Sequence, residues 1–199
     1  MQIIRSLLAA AAVTLLLAAP ALAQTVTVNG VKYEDATDLR GAKLQLNGAG
    51  TRYRGPFKVY TAGLYLTKKA GTPDEVLAVP GAKRVSITML RDIDSAELGK
   101  LFARSIEDNM DKAAFSKLIP GVMRMSQVFS DCKKLSAGES FNIDWVPGAG
   151  TVITVSNPKC PQNIEPFKEP EFYSALLRIW VGPSPADWKL KDALLGKPA

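Results

Sequence analysis

The chain contains no histidine, and that absence decides much of its possible chemistry. Ser-His-Asp and Cys-His nucleophile sets need an imidazole to accept the proton. Any reaction here therefore runs on Arg, Lys, Tyr, Thr or carboxylates. Cys132 and Cys160 are the two cysteines; with no His beside them they cannot assemble an ordinary zinc set, and neither a metal nor any other cofactor is expected. Among the cations, Arg52 follows Gly48-Ala49-Gly50-Thr51, where paired glycines would let the backbone turn sharply. A guanidinium is always charged and presents a rigid fork of donors. Facing an apolar cleft it requires an anion, which a bound carboxylate or a developing oxyanion supplies. The competing role is an exposed ion pair of Arg52 with Glu97 or Asp94.

The first residues have the form of a Sec-type signal peptide. A basic start ends at Arg5, a short apolar run extends from Leu7 to Ala19, and Ala21-Leu22-Ala23 offers a small-x-small cleavage site. Cleavage after Ala23 would give a single domain over residues 24–199 in the periplasm or outside the cell. The apolar run is shorter than the roughly 20 residues a membrane span requires, so no stable span is expected after cleavage. The net charge is +6, or +5 once Arg5 is removed, and it is spread along the chain rather than clustered with aromatics. That pattern argues against a nucleic-acid partner. In an oxidising compartment Cys132 and Cys160 are expected to form a disulfide, worth about 3–4 kcal/mol for a loop of this length in the chain-entropy account.

The elements that must position Arg52 follow from periodicity. Thr25 to Tyr33 alternates around Asn29-Gly30, the signature of a tight hairpin. Leu44 to Asn47 alternates into the glycine stretch. Phe57 to Leu66 is rich in aromatic and β-branched residues and reads as a long strand, and Lys83 to Leu90 as another. From Ser95, an expected N-cap, Leu98, Leu101, Phe102, Ile106 and Met110 recur at helical steps. Pro120-Gly121 interrupts, and the helical period resumes from Val122 toward Gly138. Phe141 to Trp145 and Thr151 to Ser156 form a second hairpin across Pro147-Gly148-Ala149-Gly150. A helix is expected from Pro170, ending before Gly182-Pro183, and a last one from about Pro185 to Leu195, with Gly196 as its C-cap. The order gives an α+β fold, an antiparallel β-sheet wrapped on one face by α-helices.

Two motifs then carry a resemblance. Gly48-Ala49-Gly50-Thr51-Arg52, followed by Lys58-Val59-Tyr60-Thr61-Ala62-Gly63-Leu64-Tyr65-Leu66, resembles the Gly-Ala-Gly-x-Arg turn and Lys-x-x-Thr-Ala-x-x-Tyr-Leu strand of the chalcone isomerase-like superfamily. The tail from Glu171 to Gly182, with Leu194-Leu195-Gly196, is similar to that superfamily's bacterial exported branch. The resemblance extends from about Gly41 to Gly196 and implies an apolar cleft between the sheet and its helices. In the plant enzymes that cleft closes a hydroxychalcone to a flavanone by attack of a phenolate on the conjugated double bond. An Arg there offsets the enolate charge, and a Thr with a Tyr orders a water at the carbonyl. Carried over by motif, these roles fall on Arg52 and Thr61, with Tyr65 as a further ligand-facing residue. Thr61 reads equally as a strand Thr satisfied by the backbone, and Tyr53, Arg54, Tyr60 and Tyr65 read more readily as core or cross-strand packing. The family's catalytic Tyr and Asn fall near Ala96 or Glu97 and near Ala103 or Arg104, where this chain has neither. Its late polar pair has no counterpart around Gln162 to Glu165.

Three readings follow. The first is a binding protein for a small apolar acid, fatty-acid-like or phenolic, with Arg52 clamping the anion. The second is an isomerase or intramolecular lyase of the chalcone-to-flavanone type using Arg52 and Thr61. The third is a non-catalytic structural or interaction protein of the envelope. The sequence assigns no oligomeric state.

Overall fold

The computed structural model describes residues 25–197; the expected signal peptide and its cleavage site lie outside the described residues. The chain opens with the hairpin β1 (Thr25–Val28) and β2 (Val31–Glu34), turning at Asn29-Gly30, where both residues have positive φ. Asn-Gly is the pair that tolerates this conformation in a two-residue hairpin turn. Four strands follow: β3 (Ala36–Leu39), β4 (Ala42–Arg54), β5 (Phe57–Leu66) and, after the short helix α1 (Pro73–Ala78), β6 (Lys83–Met89). A two-residue strand β7 (Ile93–Asp94) leads into helices α2 (Ser95–Glu107) and α3 (Lys112–Cys132), and β8 (Lys134–Leu135) pairs back onto β7. The chain ends with the hairpin β9 (Ser140–Val146) and β10 (Gly150–Val155) and helices α4 (Pro170–Val181) and α5 (Trp188–Leu194).

The main sheet is antiparallel and ordered β10-β9-β6-β5-β4-β3. Strand alternation divides its residues between two faces. Tyr60, Ala62, Leu64 and Leu66 of β5, with Val85, Ile87 and Met89 of β6, pack under the helices beside Phe102, Phe129, Phe172 and Trp180. Tyr65 of β5 and Leu44 and Leu46 of β4 meet Tyr33 of the β1–β2 hairpin in a smaller cluster on the opposite face. The α+β sheet-and-helix architecture expected from the sequence is the one observed.

Several boundaries differ from the sequence reading, each for a local reason. The N-cap of α2 is Asp94, whose side chain accepts the Glu97 N–H at 2.9 Å; Ser95 is already helical and fully buried. Pro120 does not interrupt α3, which runs through it to Cys132. An interior proline costs about 3 kcal/mol, and burial of Leu118, Val122, Met125 and Phe129 along one stripe of α3 opposes that cost. The helix stops at Cys132 rather than near Gly138, with Lys133 at positive φ. Cys132 and Cys160 form the expected disulfide, which holds the end of α3 to the segment after β10. Helix α5 begins three residues later than expected, capped by Asp187 through the Leu190 N–H.

The glycine stretch is no turn. It lies within β4, and its small residues serve a close approach: a Cβ on Gly48 would collide with the Ala193 backbone, and one on Gly50 with the Ala193 and Leu190 side chains. Helix α5 therefore rests directly on β4.

Candidate functional site

Two irregularities in the β4–β5 pairing decide which side chains meet. Between Leu46↔Tyr65 and Gly48↔Leu64 the register skips Asn47, and between Arg52↔Tyr60 and Tyr53↔Lys58 it skips Val59. A bulge leaves its extra residue unpaired and re-aims neighbouring side chains. The buried Asn47 amide uses this freedom to tie β4 to the Ala70 and Leu194 carbonyls, at 2.9 and 2.7 Å, and to accept the Ala70 N–H at 2.7 Å. Val59 turns toward the helices together with Tyr60.

Arg52 stands directly across from Tyr60 and therefore on the helix-covered face. Its guanidinium lies 5.7 Å from the centroid of the Tyr60 ring. Tyr60 is itself buried, and its hydroxyl accepts the Trp180 indole N–H at 2.9 Å. Burial pushes the Tyr60 phenol up to about 12, against the opposing pull of the nearby Arg52 charge and the Trp180 hydrogen bond. The hydroxyl is thus neutral at ordinary pH.

Around this pair the seam between sheet and helices is lined by Val59, Leu98, Leu101, Phe102 and Ile179, and it encloses only about 20 Å³. Outward from it lies a basin of about 170 Å³, reached by Arg52, Arg54, Arg91, Asp94 and Glu97. The ion pair considered for Arg52 belongs to its neighbour: Arg54 meets Glu97 at 3.3 Å, while Asp94 is occupied in capping α2. Among the described residues no carboxylate lies within ion-pair distance of Arg52, which is half-buried.

The other two residues assigned by motif are not brought to Arg52. Thr61 pairs with Thr51 on the opposite face of the sheet, fully buried, and its hydroxyl accepts the Tyr33 O–H at 2.7 Å. Tyr65 lies on that same face beneath the hairpin, with its phenol pushed by burial up to about 12. The strand alternates, so residues 60 and 61 cannot both face Arg52. Sequence reasoning set Tyr60 aside as packing; the signal that marks it is cross-strand register with Arg52, which the two bulges conceal. Trp180 is a buried core anchor of α4 and also fixes the Tyr60 hydroxyl.

Where the plant site has Tyr and Asn on the covering helix, α2 presents Leu98, Leu101, Phe102 and Ser105 to the seam. The arrangement therefore offers one charged donor, Arg52, at the rim of an apolar layer, above the buried Tyr60 ring. Such a site suits a carboxylate or another oxyanion attached to an apolar body.

Comparison with known proteins places this geometry in context. The profile described as chalcone isomerase-like matches residues 25–196. Among solved structures, the chain is similar to the crystal structure of a fatty-acid binding protein of Arabidopsis thaliana. The TM-score is 0.66 at 14% identity, over 86% of this chain and 96% of that one. No curated protein matches the sequence.

Proposed function

We propose, from the premise that this chain belongs to the chalcone isomerase-like family, that it binds an apolar carboxylic acid, with Arg52 holding the carboxylate. The observation that carries this reading is the half-buried Arg52, without a carboxylate partner among the described residues, standing over the buried Tyr60 ring beside an apolar seam. A guanidinium meeting an oxyanion makes charge-assisted hydrogen bonds, which are of the strong kind. The fatty-acid binding protein that shares the fold adds support for a long apolar guest over a compact polar one. Export, expected from residues 1–23, agrees with the disulfide and with the lack, among the described residues, of any helix long and apolar enough to cross a membrane.

The enclosed space of about 20 Å³ is far below the roughly 300–1,000 Å³ of ligand sites. On this reading the state described is a closed one, and an acyl or aryl body enters by parting α2 from β5 along the half-buried Leu101 and Ser105. Phe102 stays anchored deeper, edge-on to Phe129 and Trp180 with ring centroids 5.7 Å away in each case. The isomerase reading has less to rest on, since Thr61 faces away from Arg52 and α2 supplies no Tyr or Asn to the seam.

Native mass spectrometry of protein purified from its own host tests the proposal. The expected result is an adduct that a methanol extract identifies as a carboxylic acid with a long apolar body. A ligand-free protein that also fails to take up added long-chain acids would remove the reading.

A further inference from the structure

Six large apolar side chains stand exposed among the described residues, and three of them are the aromatics Tyr53 (39% exposed), Phe57 (60%) and Trp188 (62%). All three sit at one end of the molecule. Tyr53 and Phe57 flank the turn between β4 and β5, and the Tyr53 N–H donates to Asp187, the residue before Trp188, at 2.8 Å. Tyr53, Gly55, Trp188 and Lys189 border one groove. The Arg91 guanidinium lies 5.4 Å from the Phe57 ring centroid, and the Lys191 ammonium 4.9 Å from that of Trp188.

The charges at this end are not balanced outward. Asp92 is engaged by Lys134 at 2.6 Å, Asp94 caps α2, Glu97 meets Arg54, and Asp187 accepts the Tyr53 and Leu190 N–H groups. Lys58, Arg91 and Lys189 have no carboxylate within ion-pair distance among the described residues, and Lys58 reaches only the Asn29 side-chain oxygen. Exposed aromatics interleaved with unneutralised cations are the composition that settles at the headgroup level of a bilayer. The surplus of unneutralised cations among these aromatics favours an anionic headgroup layer over an apolar protein face.

We propose that this end of the protein, formed by the β4–β5 turn, the start of α5 and the segment after β6, docks onto an anionic lipid bilayer surface. Tyr53, Phe57 and Trp188 enter the interfacial layer, and Lys58, Arg91 and Lys189 meet the headgroup phosphates. Docking does not depend on the acid-binding reading. Where that reading holds, docking also sets the basin shared by Arg52, Arg54 and Arg91 against the membrane, where an apolar acid would be collected or released.

The test uses the protein in the form its host accumulates, its N-terminus fixed by intact mass, mixed with vesicles of phosphatidylcholine alone or of phosphatidylcholine with phosphatidylglycerol. Sedimentation with the anionic vesicles is expected, falling as salt rises, with a blue shift of Trp emission on binding. The double variant Phe57→Ser with Trp188→Ser should partition roughly tenfold more weakly or worse, and Arg91→Gln about fivefold more weakly. Met123→Ser, which alters a side chain 67% exposed on α3, should partition like the unaltered protein. The proposal is overturned if the protein stays in the supernatant with anionic vesicles. It is equally overturned if the double variant binds as the parent does, or if Met123→Ser weakens binding as much.

Discussion

The Trp180 indole N–H donates to the Tyr60 hydroxyl at 2.9 Å, directly beneath the strand position that faces Arg52. The bond links α4 to β5 across the core and fixes the phenol oxygen. Tyr60→Phe removes that oxygen and strands a buried N–H. We expect a loss of about 1–3 kcal/mol of stability from the unpartnered indole, seen in calorimetric unfolding as a fall in Tm of a few degrees.

Alkaline pH provides a second test. Tyr33, Tyr60 and Tyr65 are each pushed by burial up to about 12, against an ordinary value near 10. Their folded-state values are raised, so above about pH 10 the unfolded chain releases protons that the folded chain keeps. Stability is complete below that point and falls as pH climbs toward 12. A spectrophotometric titration at the phenolate band should show these three tyrosines ionising together with loss of near-ultraviolet dichroism. Ionisation near pH 10 with the fold intact would contradict the burial argument.

The Cys132–Cys160 bond spans 28 residues and holds the end of α3 against the segment after β10. Replacing both cysteines with Ser should lower stability by about 3–4 kcal/mol in the chain-entropy account, measured by denaturant midpoint under two-state conditions. An unchanged midpoint would mean that the α3 end is held by its packing alone.

Gly48→Ala tests why glycine occupies β4. The added methyl meets the Ala193 backbone, which cannot swing aside as a flexible side chain can. Overpacking of this kind costs about 1–3 kcal/mol, so chemical denaturation should show a lower midpoint with unchanged m-value.

Where the physics is local, sequence and structure agree. Asn29-Gly30 specified a hairpin, Leu98, Phe102 and Ile106 specified the buried stripe of α2, and Pro170 and Gly182 bounded α4. Strand β3 and helix α1 are too short to show a period, although Thr72 and Glu75 form a capping box around Pro73 that marks the start of α1. The differences arise from long-range register. Motif spacing alone cannot reveal that Asn47 and Val59 are bulged out of the ladder, and those two residues decide that Tyr60, rather than Thr61, stands beside Arg52. The passage of α3 through Pro120 likewise depends on tertiary burial that local propensity does not contain.

Recognition of a carboxylate by Arg52 is tested most directly by calorimetric titration of a long-chain saturated acid and of the matching primary alcohol into the parent protein and into Arg52→Met. Loss of a charge-assisted contact worth about 1.5–3 kcal/mol predicts that the acid binds Arg52→Met roughly ten- to a hundredfold more weakly, while the alcohol's affinity is unchanged by the substitution. Acid binding at parental strength in Arg52→Met, with the fold intact, would contradict the account.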